Sequence, residues 1–357
     1  MASLAPHHDG PHADEHAPAE LHHQEKKKEA AEEEEELDIC SICLETLPRW
    51  PSLNIQFTRF TCCGKGMHDA CHKELRKSSR SRNCPMCRGP APASDKAAHK
   101  QALRWAKKGK AWAILVVGCN FQEGRGVAVS KRMARLWYEK AAKEGHPQAQ
   151  FTLGVMHANG ECGLPKPRET ARLWYEKAAE QGHSDAQCNL GLMHAQGDGG
   201  LPVSKEKARL WYKKAAELGH PAAQYNLGVM HEYAIGKIPM SKEKARLWYE
   251  KAAGQGYIAA QRNLASLHSK GGGDLPVSME LAFFWMARAC DQGDKQSTVT
   301  LEAAKSKCFS CGKIGKLDRC PKCKCAYYCS RDCQAVAWKS GHKAACKQIR
   351  RKQQSAD

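Results

Sequence analysis

The sequence predicts a mainly α fold, a solenoid of helical hairpins set between two small Cys/His-rich modules. Three observations predict it. A Leu-Trp-Tyr triplet recurs every 37 residues, at 136–138, 173–175, 210–212 and 247–249; a glycine follows each triplet at a fixed distance; and fifteen of the nineteen cysteines lie in two short stretches on either side of the repeats.

At 357 residues and 42% apolar content the chain is long enough for two or three folded domains. No uninterrupted apolar run approaches the ~20 residues a membrane span needs, and the first residues are His-rich and polar rather than a signal peptide. The expectation is a soluble, unsecreted protein of the cytoplasm or nucleus with no membrane partner. Cysteines arranged as CxxC pairs interleaved with histidine point to metal thiolates in a reducing compartment rather than disulfides.

Net charge is +18 and uneven: −8 over 1–36, +10 over 37–110, +6 over 111–299 and +10 over 300–357. The basic ends are compatible with nucleic-acid or acidic-surface contact, although charge alone is weak support for it.

Residues 1–36 combine six histidines (His7, His8, His12, His16, His22 and His23), a Lys26 to Lys28 run and an acidic block from Glu32 to Glu36. With almost nothing apolar at helical spacing, this segment is expected to be a disordered tail; scattered histidines lack the fixed geometry of a metal site.

Each central unit opens with a helix such as 223–231, passes a Gly/Pro loop and enters a second helix such as 241–256. In the third unit Ser204 is placed to cap the second helix. Ala208, Trp211, Tyr212, Ala215 and Ala216 then form one apolar face at i, i+3, i+4, i+7 and i+8, and Gly219 ends it. Equivalent glycines are Gly145, Gly182, Gly256 and Gly293. The Trp-Tyr stripe is expected to be core, with a degraded Phe-Phe-Trp at 283–285 in the last unit.

These units resemble Sel-one-like repeats, a relative of the tetratricopeptide repeat, through the pattern A-x3-LG, a Gly-rich loop, then KA-x2-WY-x-KAA-x2-G. The array weakens at its ends, with Val117-Gly118 in the first unit and Leu264-Ala265 in the fifth. Residues 102–113 and Ser297 to Leu301 keep the register beyond the five units and read as capping half-repeats, so the solenoid is expected over 95–306. His157, His194, His231 and His268 recur with the repeat; one per hairpin, they are expected to serve packing or polarity rather than metal. Cys119, Cys162, Cys188 and Cys290 read as small buried residues.

Before the repeats, residues 37–90 hold CSICLETLP (40–48), TCCGKGMHDAC (61–71) and CPMCRG (84–89). Eight donors of these types make two tetrahedral zinc sites. The pattern resembles a RING domain, whose cross-braced topology implies Cys40, Cys43, His68 and Cys71 on one zinc and Cys62, Cys63, Cys84 and Cys87 on the other. Lys65 stands where the family usually has a ligand histidine, so Cys62 must compensate, and His72 competes with His68. The resemblance implies docking of a ubiquitin-conjugating enzyme through Ile42 and Pro85, with Arg88 as the cation that bridges both partners in a closed, reactive pose.

After the repeats, residues 308–346 read CFSCGKIGKLDRCPKCKCAYYCSRDCQAVAWKSGHKAAC. The spacing resembles a MYND finger throughout. Its interleaved binding implies Cys308, Cys311, Cys329 and Cys333 on one zinc and Cys320, Cys323, His342 and Cys346 on the other, with Cys325 surplus. So small a module depends on metal for its fold. The family's groove for proline-containing peptides implies contact roles for Gln334 and Trp338. Residues 347–357 form a basic tail.

Two cross-braced modules would hold about four zinc ions, and thiolate ligation would lower the net charge to about +12. No nucleotide-binding loop, dinucleotide fingerprint or nucleophile motif is present. The leading expectation is therefore a RING-type ubiquitin ligase whose repeats and MYND finger recruit protein clients; the alternative is a non-enzymatic adaptor or nuclear regulator. Five hairpins at about 10 Å each would set the zinc modules about 50 Å apart.

Overall fold

The computed structural model describes residues 57–59, 66–68, 92–161, 168–271, 277–299, 318–323, 326–328 and 331–354. In the RING-like segment, β1 (Phe57–Arg59) pairs antiparallel with β2 (Gly66–His68), placing Phe57 opposite His68.

The solenoid runs through α1 (Asp95–Lys107), α2 (Ala111–Glu123), α3 (Lys131–Lys143), α4 (Pro147–Asn159), α5 (Arg168–Glu180), α6 (Ser184–Gln196), α7 (Lys205–Glu217), α8 (Pro221–Glu232), α9 (Lys242–Gly254), α10 (Ile258–Lys270) and α11 (Met279–Asp291). Each packs chiefly on the helix before and the helix after it. The even-numbered helices are the first, and the odd-numbered helices from α3 the second, of five hairpins. α1 packs on α2 from the preceding side, and residues 295–299 are helical one period beyond α10.

The second helices start and stop for reasons written in the chain. The Ser204 hydroxyl accepts from the Lys207 N–H at 3.2 Å, and Ser130, Ser241 and Ser278 cap their helices in the same way. At the end of α7, Gly219 takes φ +90, and the Gly219 and His220 N–H groups donate back to the Ala216 and Ala215 carbonyls. The serine N–H also ties the loop down: Ser204, Ser241 and Ser278 donate to the carbonyls of His194, His231 and His268, each at 2.8 Å. Of the repeating histidines, His194 and His268 are buried and His157 and His231 half-buried, so packing and loop closure account for them.

The Trp-Tyr stripe divides in two. Tyr138, Tyr175, Tyr212 and Tyr249 are buried, as expected of core. The tryptophans before them are only half-buried: Trp174, Trp211 and Trp248 lie against the core of the preceding hairpin, each under a lysine ammonium at 4.3–4.7 Å. An indole that must reach a neighbouring hairpin keeps one face in solvent, where cation–π contact covers it. The last unit also needs a register correction. Ser278 caps α11 37 residues after Ser241 caps α9, so Trp285 stands at the Trp248 position and Met286, not Trp285, at the tyrosine position.

A buried glutamine ladder links the units. Gln150, Gln187, Gln224 and Gln261 each donate to an alanine carbonyl at the end of the previous second helix, at 3.1–3.3 Å. Gln181, Gln255 and Gln292 then donate to the side-chain oxygens of Gln150, Gln224 and Gln261 at 2.8–3.0 Å. These amides satisfy the carbonyls that a helix end leaves open.

Among the described residues of the last module, β3 (Asp318–Arg319) pairs antiparallel with β4 (Tyr327–Tyr328), followed by α12 (Arg331–Ala337), a wide turn over Trp338–His342 and α13 (Lys343–Gln354). No helix among the described residues is long and apolar enough to cross a membrane.

Candidate metal centre

The β3–β4 knuckle carries Cys320 and Cys323 toward the wide turn, where Gly341, at φ +139, lets the chain swing His342 inward; Cys346 follows one turn into α13. The donor atoms of Cys320, Cys323, His342 and Cys346 all lie within 4.8 Å of one another, and all four residues are buried. His342 Nε2 is the nitrogen that faces the sulfurs, 3.3 Å from Cys320 Sγ and 3.8 Å from Cys323 Sγ. Tyr328 and Trp338 pack edge-on to its ring, with centroids 5.7 and 5.6 Å away.

Proton competition inside the cluster is strong. Burial alone would raise the Cys320 thiol, but the Cys323 backbone N–H and the His342 ring bring it down to about 7. Cys346, buried beside Cys323 and Cys320, is pushed up to about 12. His342, which burial would keep neutral, is raised to about 10 by Cys323, Glu280 and Cys320. Three sulfurs and one imidazole in a closed site, with no room for negative charge unless a cation supplies the balance, fit a tetrahedral zinc ion. Bound there, zinc would take the place of the protons and tie the knuckle to α13.

The finger does not hang free of the solenoid. Its buried residues belong to one apolar cluster with α9, α10 and α11. Glu280, in the first turn of α11, places Oε1 3.4 Å from His342 Nδ1. Burial would raise that carboxyl, yet contact with His342 holds it below its ordinary value. Lys352 of α13 reaches Glu250 of α9 at 3.2 Å and covers the Trp285 ring at 5.2 Å.

Of the other candidate ligands, Cys333 is half-buried on α12 and packs against the shared core, whereas Cys308, Cys311 and Cys329 lie outside the described residues. Gln334 and Trp338 are half-buried on α12 and the wide turn, and the Lys322 ammonium lies 4.9 Å over the Trp338 ring. In the RING-like segment His68 is placed on β2; Cys40, Cys43, Cys62, Cys63, Cys71, Cys84 and Cys87, with Ile42, Pro85 and Arg88, lie outside the described residues.

Sequence reasoning missed two arrangements. Glu280 belongs to a series with Glu169, Glu206 and Glu243 at the 37-residue spacing, so nothing local marks it out; only its place in the last unit does. The other joins Asp185, Cys188 and His220. His220 Nε2 meets Asp185 Oδ1 at 3.1 Å and also contacts Cys188, while His220 Nδ1 accepts from the Ala223 N–H. A catalytic triad needs the histidine to bridge thiol and carboxylate through its two different nitrogens. With one nitrogen spent on capping α8, this cluster is structural.

A Sel1 repeat family model matches residues 113–146, 147–183, 184–220, 221–257 and 258–294, more than half of the chain, and a MYND finger model matches 308–346. Among solved structures, the Sel1 repeat protein from Oxalobacter formigenes is 26% identical with a TM-score of 0.54, covering 66% of this chain and 87% of that one. The protective antigen c5321 of uropathogenic Escherichia coli, described as an SLR fold, is 27% identical with a TM-score of 0.39 over 62% of this chain and 54% of its own. A stretch of 45 residues is 47% identical to ubiquitin carboxyl-terminal hydrolase 19 of Arabidopsis thaliana, 13% of this chain but 6% of that protein. The chain thus spans a small fraction of that relative. Both matched families are protein-interaction modules, which makes this chain an interaction scaffold with a zinc-type Cys/His centre. Five successive matching units on a stacked-hairpin solenoid establish that the chain belongs to the Sel1 repeat family, with a MYND finger docked on its last repeat.

Proposed function

We propose that the chain recruits protein clients along the outer side of its second helices and through the MYND finger. The observation that carries this reading is a row of unpartnered leucines, one per repeat: Leu136, Leu173, Leu210 and Leu247 are 44–52% exposed. A further apolar residue stands seven positions before three of them, at Val129, Val203 and Met240, all more than 60% exposed. Exposed apolar side chains recurring in line are what a partner surface requires, whereas isolated ones need no explanation. In the fifth unit Phe284 holds the leucine position and is buried.

Gln334 and Trp338 supply the second contact, for proline-containing segments. Trp338 also packs on the ligand His342, so the informative variant there is Gln334→Ala, which leaves the metal site untouched. Proline-containing peptides presented to the zinc-loaded chain should bind, and Gln334→Ala should weaken them several-fold. Leu173→Glu with Leu210→Glu should abolish client cross-linking to the repeats without loss of helix. Unchanged peptide and client binding in these variants would refute the assignment.

A finer reading makes the scaffold a ubiquitin ligase. It is supported by the paired cysteine spacing of 37–90 and by Ile42, Pro85 and Arg88 at the positions a conjugating enzyme would contact. The 45 residues shared with a ubiquitin hydrolase are too few to carry a hydrolase fold and lend nothing to that activity. Autoubiquitination with a panel of conjugating enzymes should be lost in Arg88→Ala and Ile42→Ala; inactivity of the fully zinc-loaded chain with every enzyme would leave the adaptor reading alone.

A further inference from the structure

The Cys320, Cys323, His342 and Cys346 centre is assembled within the finger, but the atom behind its histidine comes from the repeats. His342 turns Nε2 to the sulfurs and Nδ1 away from them. The ring is fully enclosed, with no side-chain exposure, and Glu280 Oε1 stands 3.4 Å from Nδ1. A metal-bound imidazole that donates its second N–H to a carboxylate is fixed in tautomer and orientation and made a stronger donor. Glu280 stands at that outer position, at ion-pair distance from Nδ1 without the alignment of a hydrogen bond, and it is anchored from its own side: the Ser278 hydroxyl, which caps α11, donates to Glu280 Oε2 at 3.2 Å.

We infer that Glu280 is a positioning residue for the zinc centre, so that metal loading of the finger and docking of the finger on the last repeat form one coupled equilibrium. The inference rests on the zinc reading of the four ligands. Three observations support it together. The finger and the α9–α11 layer share one buried apolar cluster. Lys352 makes a second polar tie, to Glu250 and over Trp285. The equivalent glutamate one repeat earlier, Glu243, sits in the same first turn of α9 but is exposed. The same residue type at the same repeat position therefore meets a ligand histidine only where the finger docks.

Glu243 provides the control, because its substitution removes an identical helix-start charge from an exposed position rather than from behind the ligand histidine. In the full-length chain loaded with zinc, alkylation of Cys320, Cys323 and Cys346 should be followed peptide by peptide as a chelator is raised. This reads the one site, whatever other zinc the chain holds. Glu280→Ala should release these cysteines at about 10-fold or more lower chelator strength, Glu280→Gln should fall between it and the parent, and Glu243→Ala should match the parent. Hydrogen exchange should also show α10 and α11 amides losing protection when zinc is stripped from the parent, while α4 to α6 stay protected. Glu280→Ala within about twofold of the parent, or equal to Glu243→Ala, would overturn the positioning role. Cysteines alkylated freely in the zinc-treated parent would instead overturn the zinc reading beneath it.

Discussion

Glycine inside a helix costs up to about 1 kcal/mol against alanine, yet Gly154, Gly191 and Gly228 stand mid-helix in α4, α6 and α8. The reason is a ring. A Cβ at these positions would come within 2.4–2.6 Å of ring carbons of Tyr175, Tyr212 and Tyr249. Each hairpin closes by laying a buried tyrosine on bare backbone, and the fifth unit alters both partners, with Ala265 and Met286 at the equivalent positions. Gly191→Ala should therefore lower stability by about 1–3 kcal/mol, read as a shift in the urea midpoint. Adding Tyr212→Met, whose flexible thioether can yield, should give back part of that loss through a coupling of about 1 kcal/mol in the double-mutant cycle. Strictly additive losses would show that the glycine and the ring do not share the space.

At the scale of the element, a glycine of positive φ ends four of the five first helices, Gly271 of α10 outside the left-handed region, and the fourth unit lacks it. Gly124, Gly160 and Gly197 end α2, α4 and α6 in the left-handed region, at φ +77, +68 and +74. One period on, the fourth unit has Ala234 at φ +56, and α8 is one residue shorter than its counterparts. Left-handed backbone costs an L side chain about 1–2 kcal/mol, while glycine adds up to about 1 kcal/mol of unfolded-state entropy. The first term wins, so Ala234→Gly should raise stability by about 0.5–1 kcal/mol and the thermal midpoint by a few degrees; no rise would mean that the loop relaxes without cost. The serine cap, the glycine stops of the second helices and the hairpin count were legible in the chain from the 37-residue spacing; the alanine at 234 stands in that register too but was not read from it. The glutamine ladder and Glu280 were not. A polar residue inside an apolar period reads as surface, and their partners lie 31 residues away for the ladder amides and 62 for Glu280 with His342. The half-burial of the tryptophans was hidden for the same reason: the surface they cover belongs to the preceding unit.

Across the whole molecule, the junctions between units carry histidines at equivalent positions, His146, His183 and His220, with Tyr257 in the fourth place. They do not titrate alike. Burial, then the nearby His183, lowers His146 to about 3, and burial also holds His183 below its ordinary value despite Asp185. His220, although burial works against it, is raised to about 9 by Asp185 and Cys188, and charging it gives up the Ala223 N–H cap that only its neutral Nδ1 can accept. A lowered histidine stabilises the array above its unfolded value near 6.5, and that contribution is lost as pH falls below it, because only the unfolded chain takes up the proton. The raised His220 acts oppositely, stabilising below about 6.5 and losing its effect as pH climbs toward 9. Two lowered groups against one raised group leave the array acid-labile, and a solenoid transmits a weak junction to its neighbours because each unit is held only by the next. His183 stacks on Phe151 with ring centroids 4.6 Å apart, as Tyr257 packs on Tyr225 at 5.3 Å two units later, so His183→Tyr places in the second junction an aromatic pair the chain already uses. Hydrogen exchange of the α4–α7 amides, which reads the array apart from acid release of zinc, should show the parent losing protection between pH 7.5 and pH 5 and His183→Tyr losing distinctly less. Equal losses in the two chains would place the acid sensitivity elsewhere than in this junction.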